Sequence, residues 1–184
     1  MKLFVKPPAV VLKIKCVIFV WIVFCNFLVQ TFHHQLEHFG IAAWNIFLVN
    51  IMFFLMEEDP YKVRWIKCFC GIVVGLTGAW ALCMIKVQLV GLGLPDIAAT
   101  MIPLAAMLFL IIIGNSFMPF VFNNVGFGYF TVGLINPQLT CQHLGTYMLG
   151  GILGNLIING IAVIIIINLA KYFTAKDAAA EKSA

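Results

Sequence analysis

The stretch KVQLVGLGLPDIAATMIPLAAMLFLIIIGNSFMPFVFNNVGFGYFTVGLINPQLTCQHLGTYMLGGILGNLIINGIAVIIIINLAK, residues 86–171, decides the class of fold. Between its terminal lysines it carries a single charged side chain, Asp96, yet seven asparagines. So apolar a run is stable only in lipid or in a very large core, and a neutral amide placed in lipid demands a hydrogen-bond partner. Missing charge speaks for a membrane, and the asparagines mark where function is to be sought.

The rest of the chain agrees. Its 184 residues are 63% hydrophobic and 10% charged, against about 25% charged in an average globular protein, and mean hydropathy is +1.06. Lys2 and Lys6 precede an apolar run over 9–29 that is too long for a signal-peptide core and has no small-x-small cleavage site after it. It is therefore expected to stay as a span. A helix needs about 20 residues to cross a hydrocarbon core of about 30 Å. On that measure the expectation is an all-α polytopic membrane protein, one transmembrane domain over 1–184, with six transmembrane helices over about 9–31, 39–56, 67–89, 96–114, 117–133 and 144–169. Between the fourth and fifth, Gly114-Asn115-Ser116-Phe117-Met118-Pro119 holds no charge and two helix breakers. It reads either as a tight surface loop or as a break lining a cavity.

Orientation follows from lysine and arginine. Lys2, Lys6, Lys13 and Lys15 precede or begin the first span, Lys62, Arg64 and Lys67 lie between the second and third, and Lys171, Lys176 and Lys182 follow the sixth. By the positive-inside rule these belong to the cytoplasm, which requires an even number of spans and puts both termini there. Lys86, the cluster of His33, His34, Glu37 and His38, and the loop over 136–143 then face outward. The net charge of +4 flanks spans and forms no aromatic-interleaved patch, so nucleic acid is not an expected partner. A lipid bilayer is.

The chain hints at an internal duplication. Gly71, Gly75 and Gly78 on the third span match Gly150, Gly151, Gly154 and Gly160 on the sixth, each set preceded by an aromatic span bearing asparagine (Asn50 and Asn124) and a proline-containing loop. Two three-helix halves of opposite orientation would result, as in many transporters and channels. Small-x3-small spacing lets helices approach closely in lipid, so Gly71, Gly75, Gly78, Gly150 and Gly154 are assigned to helix packing, within one chain or between copies.

The motif richest in chemistry, His33-His34-Gln35-Leu36-Glu37-His38, resembles a histidine box of membrane desaturases and hydroxylases. That chemistry needs about eight histidines, and the chain has 4 in all, so neither a metal nor any other cofactor is expected. Six cysteines fall mostly in apolar runs, the closest pair as C-x-C, which matches neither zinc nor redox spacing. No nucleophile sits beside a base, so an enzyme is not expected. Asp96, the one acid near a span, reads as a helix cap or as a partner of Lys86; with no acid mid-span, proton or sodium coupling is disfavoured.

The asparagines carry the functional reading. Gly151, Asn155 and Asn159 recur on one face of the sixth span, and Asn124, Gly128 and Thr131 on one face of the fifth. Facing each other, with Asn115, Ser116 and Asn123 nearby, they would form a polar seam. Such a seam serves either as interhelical glue or as a narrow path for a small polar or neutral solute.

Trp44 with Phe47-Leu48, Gly75 with Trp80-Ala81, and Ser116-Phe117-x-Pro119-x-x-Phe122 give the stretch 41–161 a resemblance to the YcdZ-like family of multi-span bacterial inner-membrane proteins. The longer N-terminal lead, the charged Glu57-Glu58-Asp59 loop and the longer 136–143 loop depart from that pattern. The resemblance implies a bacterial inner membrane and carries no activity to transfer. The expectation is a passive channel or facilitator for a small-molecule solute, working as a homo-oligomer; the alternative is a non-transporting subunit or scaffold that docks a partner through its glycine faces.

Overall fold

The structure, a computed structural model, describes the backbone of residues 8–183 and the side chains of residues 8–176. Every regular element within it is helical. In chain order these are α1 (Ala9–Thr31), α2 (His33–Glu37), α3 (Ala43–Leu55), α4 (Tyr61–Gly91), α5 (Asp96–Phe117), α6 (Asn124–Ile135), α7 (Pro137–Gln142), α8 (Leu144–Gly154), a π-helical turn (Asn155–Asn159) and α9 (Gly160–Ser183).

Among the described residues, four helices are long and apolar enough to cross a membrane: Ala9–Thr31, Tyr61–Gly91, Asp96–Phe117 and the composite Leu144–Lys176. Helices α3 and α6, expected as full spans, have 13 and 12 residues, about 20 and 18 Å at 1.5 Å per residue. Polar and turn-forming residues cut them short. Met56 ends α3 ahead of the Glu57-Glu58-Asp59 turn, and α6 starts only after Asn123 caps it, its side chain accepting the Gly126 N–H at 3.0 Å. The missing first turns of α6 are the irregular 118–123 segment that follows α5.

Helix α6 packs chiefly against α4, and glycine makes the approach possible. A Cβ on Gly71 would come within 2.6 Å of the Val125 side chain, and one on Gly75 would overlap the Gly126 carbonyl. Gly78 admits Met107 of α5, Gly150 the Gly40 backbone, and Gly154 the tip of Ile46. All five glycines assigned to packing thus receive neighbours from the same chain. The core formed around them gathers Val49, Phe53, Cys68, Ile72, Leu76, Val125, Tyr129 and Tyr147, while Phe19, Phe109 and Ile164 point outward, as lipid-facing residues do.

The molecule has a basic end and a histidine end. Lys15 meets Glu57 at 2.8 Å, Lys67 meets Asp59 at 2.6 Å, and Lys13 lies over the Phe173 ring, so the start of α1, the α3–α4 turn and the late part of α9 come together. At the other end, α2 faces the 138–146 region. There Lys86 pairs with Asp96 at 3.1 Å; Pro95 holds the cap position and Asp96 sits in the first turn of α5.

Candidate functional site

An amide column runs down the interior beside α3. Asn45 and Asn50 of α3 and Asn155 and Asn159 of the π turn are all buried to 2% exposure or less. Asn45 donates from Nδ2 to the carbonyls of Tyr147 at 3.2 Å and Gly40 at 3.3 Å, and its own carbonyl accepts the Tyr129 hydroxyl at 2.8 Å. Its Oδ1 lies 2.8 Å from where a Cβ on Gly151 would stand. Ile46 meets Gly154 one turn on, and Asn50 follows Ile46 by one further turn on the same face. Asn159 donates to Asn155 Oδ1 at 2.8 Å.

Most amides of the column keep unused hydrogen-bonding capacity. Among the described residues, the buried side-chain atoms without a partner are Trp21 Nε1, Asn45 Oδ1, both polar atoms of Asn50, and Asn159 Oδ1. Each such atom costs about 1–3 kcal/mol against a bonded one. Across helices the column bonds through Asn45 to Tyr147 O, whereas the Asn155–Asn159 bond lies within one turn, so most of its polar capacity is not spent on joining helices. The π turn belongs to the same feature, since an i→i+5 segment interrupts an α-helix mostly as a single turn and frequently at functional sites.

A pocket opens at each end. At the basic end, Met52, Met56, Lys67, Asn115, Asn123 and Asn124 line a pocket of 460 Å³, with a neighbouring one of 240 Å³ between Ile111, Asn115, Asn124 and Phe127. Asn123 is fully engaged there, donating to Lys67 O at 3.1 Å and Phe120 O at 2.9 Å besides capping α6; it fixes the pocket wall, while Asn115 and Asn124 line the pocket beside it. At the histidine end, His34, Glu37, His38, Gln138, His143 and Thr146 line a pocket of 720 Å³. His143, remote in sequence, joins the cluster because α7 folds back toward α2. Among the described residues no three histidine, cysteine or acidic side chains are grouped to hold a metal ion.

The expected seam is reorganised. The stripes of the fifth and sixth spans do not meet, because α3 lies between them: Gly128 packs on Leu48, while Gly151 packs on Asn45. Thr131 is exposed and bonds its own helix at Phe127 O, and Ser116 is exposed beside Asn115. Asn155 and Asn159 lie in the π turn that packs against α3. Sequence reasoning passed over Asn45 and Asn50 as site residues because their five-residue spacing forms no helical stripe; the signal available was an amide inside an apolar run.

No protein-family model, curated protein or solved structure matches this chain.

Proposed function

We propose that this protein is a six-span α-helical facilitator that gives a small, neutral, polar solute a passive path through a bacterial inner membrane, with both termini cytoplasmic. The path runs along α3, from the histidine pocket past Asn45, Asn155, Asn159 and Asn50 to the amide pocket at the basic end. One observation carries this reading: the unpaired amide atoms of Asn45, Asn50 and Asn159 in an otherwise apolar interior. Polar atoms of this kind replace the hydration of a solute as it passes, and their neutrality fits an uncharged one.

The short helices support it. In transporters built from two inverted halves, a pair of unusually short apolar segments in corresponding positions marks the binding site. Here α3 precedes glycine-bearing α4 and α6 precedes glycine-bearing α8, and the two short helices touch at Leu48 and Gly128. The basic end, with Lys13, Lys15, Arg64 and Lys67, is the cytoplasmic one by the positive-inside rule. In this reading α3 and α6 complete the six spans with help from the irregular segments beside them, and copies associate through lipid-facing surface. The resemblance to the YcdZ-like family is consistent with this setting.

The test is osmotic shrinkage of proteoliposomes in stopped flow, with urea and glycerol as probes. Wild type is expected to pass at least one of them faster than empty vesicles, and Asn50→Leu and Asn159→Leu to lose that flux while remaining monodisperse in detergent. Normal flux in both variants overturns the path. No flux in wild type, with a foreign subunit recovered in stoichiometric amount from mild detergent, would favour the docking-subunit alternative.

A further inference from the structure

Cys83 and Cys141 lie on two helices, α4 and α7, that pack against each other from distant parts of the chain, and nothing in the proposed path uses them. Cys83 lies on α4 one turn above Ala79; Cys141 follows Thr140 on α7. Ala79 and Thr140 both converge on Gly133, where an added Cβ would stand 2.5 Å from Ala79 Cβ and 3.4 Å from Thr140 Oγ1. Buried Thr140 also donates to Gly133 O at 2.8 Å, which holds α7 at this contact with α4. The Cys83 thiol lies near enough to contribute to raising that of Cys141. Both are free and partly exposed, whereas Cys25 and Cys68 are buried. Cys83 stands less than one turn before Lys86, whose exposed partner Asp96 marks the water-facing end of α4.

We propose that Cys83 and Cys141 form an oxidisable dithiol, and that closing it to a disulfide fastens α7 to α4 and resets the histidine pocket. The coupling is short. Gln138 and Leu139 of the six-residue α7 line that pocket, with His143 just beyond its end. The oxidant is a small or protein-borne disulfide. A thiolate from one cysteine attacks a sulfur of that disulfide, expelling its other half as a thiolate and leaving a mixed disulfide; the second cysteine attacks the mixed disulfide and releases the remaining half. Two electrons and two protons leave the pair, and the oxidant ends as two thiols. Burial, with the Cys83 thiol beside it, pushes the Cys141 thiol up to about 11. The nucleophile is the thiolate, so the pair suits a staple that closes slowly and stays closed.

The experiment uses the full chain in detergent with Cys16→Ser removing the exposed competitor on α1, oxidised glutathione as oxidant, and peptide mapping after alkylation of free thiols. A peptide joining Cys83 to Cys141 is expected, with loss of alkylation at both sites together. With Cys83→Ser added, Cys141 is expected to hold a glutathione adduct it cannot resolve. In parallel, the rate at which diethyl pyrocarbonate modifies His143 is expected to change on oxidation in the parent and to stay constant in the Cys83→Ser variant. Stable glutathione adducts at Cys83 and Cys141 of the parent, with no linked peptide, overturn the dithiol. A linked peptide with an unchanged His143 rate overturns the coupling to the pocket. Thermal unfolding of each variant confirms that it is folded. None of these outcomes depends on whether urea or glycerol is transported.

Discussion

Asn50 is the residue on which stability and transport should part company. Both its polar atoms are buried and unpaired, so Asn50→Leu removes a desolvation cost while keeping the branched shape and the number of side-chain heavy atoms. The expected result is a protein more stable by about 1–3 kcal/mol, read as a higher thermal midpoint in detergent, that no longer conducts. Tyr129→Phe should act in the opposite sense. It strips the Asn45 carbonyl of its 2.8 Å donor inside the core and should destabilise by about 1–3 kcal/mol in the same assay. Cys141 supplies a pH signature. A thiol raised to about 11 is almost wholly protonated at pH 7, and its reactive thiolate grows about tenfold per pH unit until the pKa is reached. Iodoacetamide labelling of Cys141 in the reduced protein should therefore climb at that rate between about pH 7 and 10; a plateau near pH 9 would contradict the raised value.

Among elements, the α4–α6 contact is the most exacting. A side chain at Gly75 collides with backbone of α6, which cannot yield as a side-chain tip does, so Gly75→Leu should cost about 1–3 kcal/mol or more in the thermal midpoint. Gly91→Ala, with open space around its Cβ, should leave it unchanged. Helix-forming segments were legible in the sequence because long apolar runs have few alternatives: Ala9–Thr31 has the expected bounds, and Asp96–Phe117 exceeds its expected end by one turn. The lengths of α3 and α6 were not. Hydropathy cannot tell an apolar residue in a helix from one in an irregular segment, and what shortens α6 is the tertiary bond of Asn123 to Lys67 O, 56 residues away. The pairing of the amides was hidden for the same reason. A stripe on one helix names a face, but which helix covers it is decided by Gly128 and Gly151 both receiving α3.

As a whole, the molecule gathers basic side chains at one end and imidazoles at the other. If that axis lies across the membrane as proposed, a cysteine placed at Thr146 in a cysteine-free background should react with a membrane-impermeant maleimide in intact cells. One placed at Lys62 should react only after permeabilisation; the reverse pattern would invert the orientation. The unequal helix lengths have a further, kinetic meaning. Helix α4, at 31 residues, is about 46 Å long, whereas the amide-bearing α3 is about 20 Å, so on the proposed path the helical part of α3 is shorter than the surrounding hydrocarbon of about 30 Å. Diffusive transit time scales with the square of the distance, so a solute on the proposed path would cross such a stretch faster by a factor of about two than the full hydrocarbon thickness. A membrane voltage, were any charge to enter, would fall across that same short gap as a correspondingly steeper field.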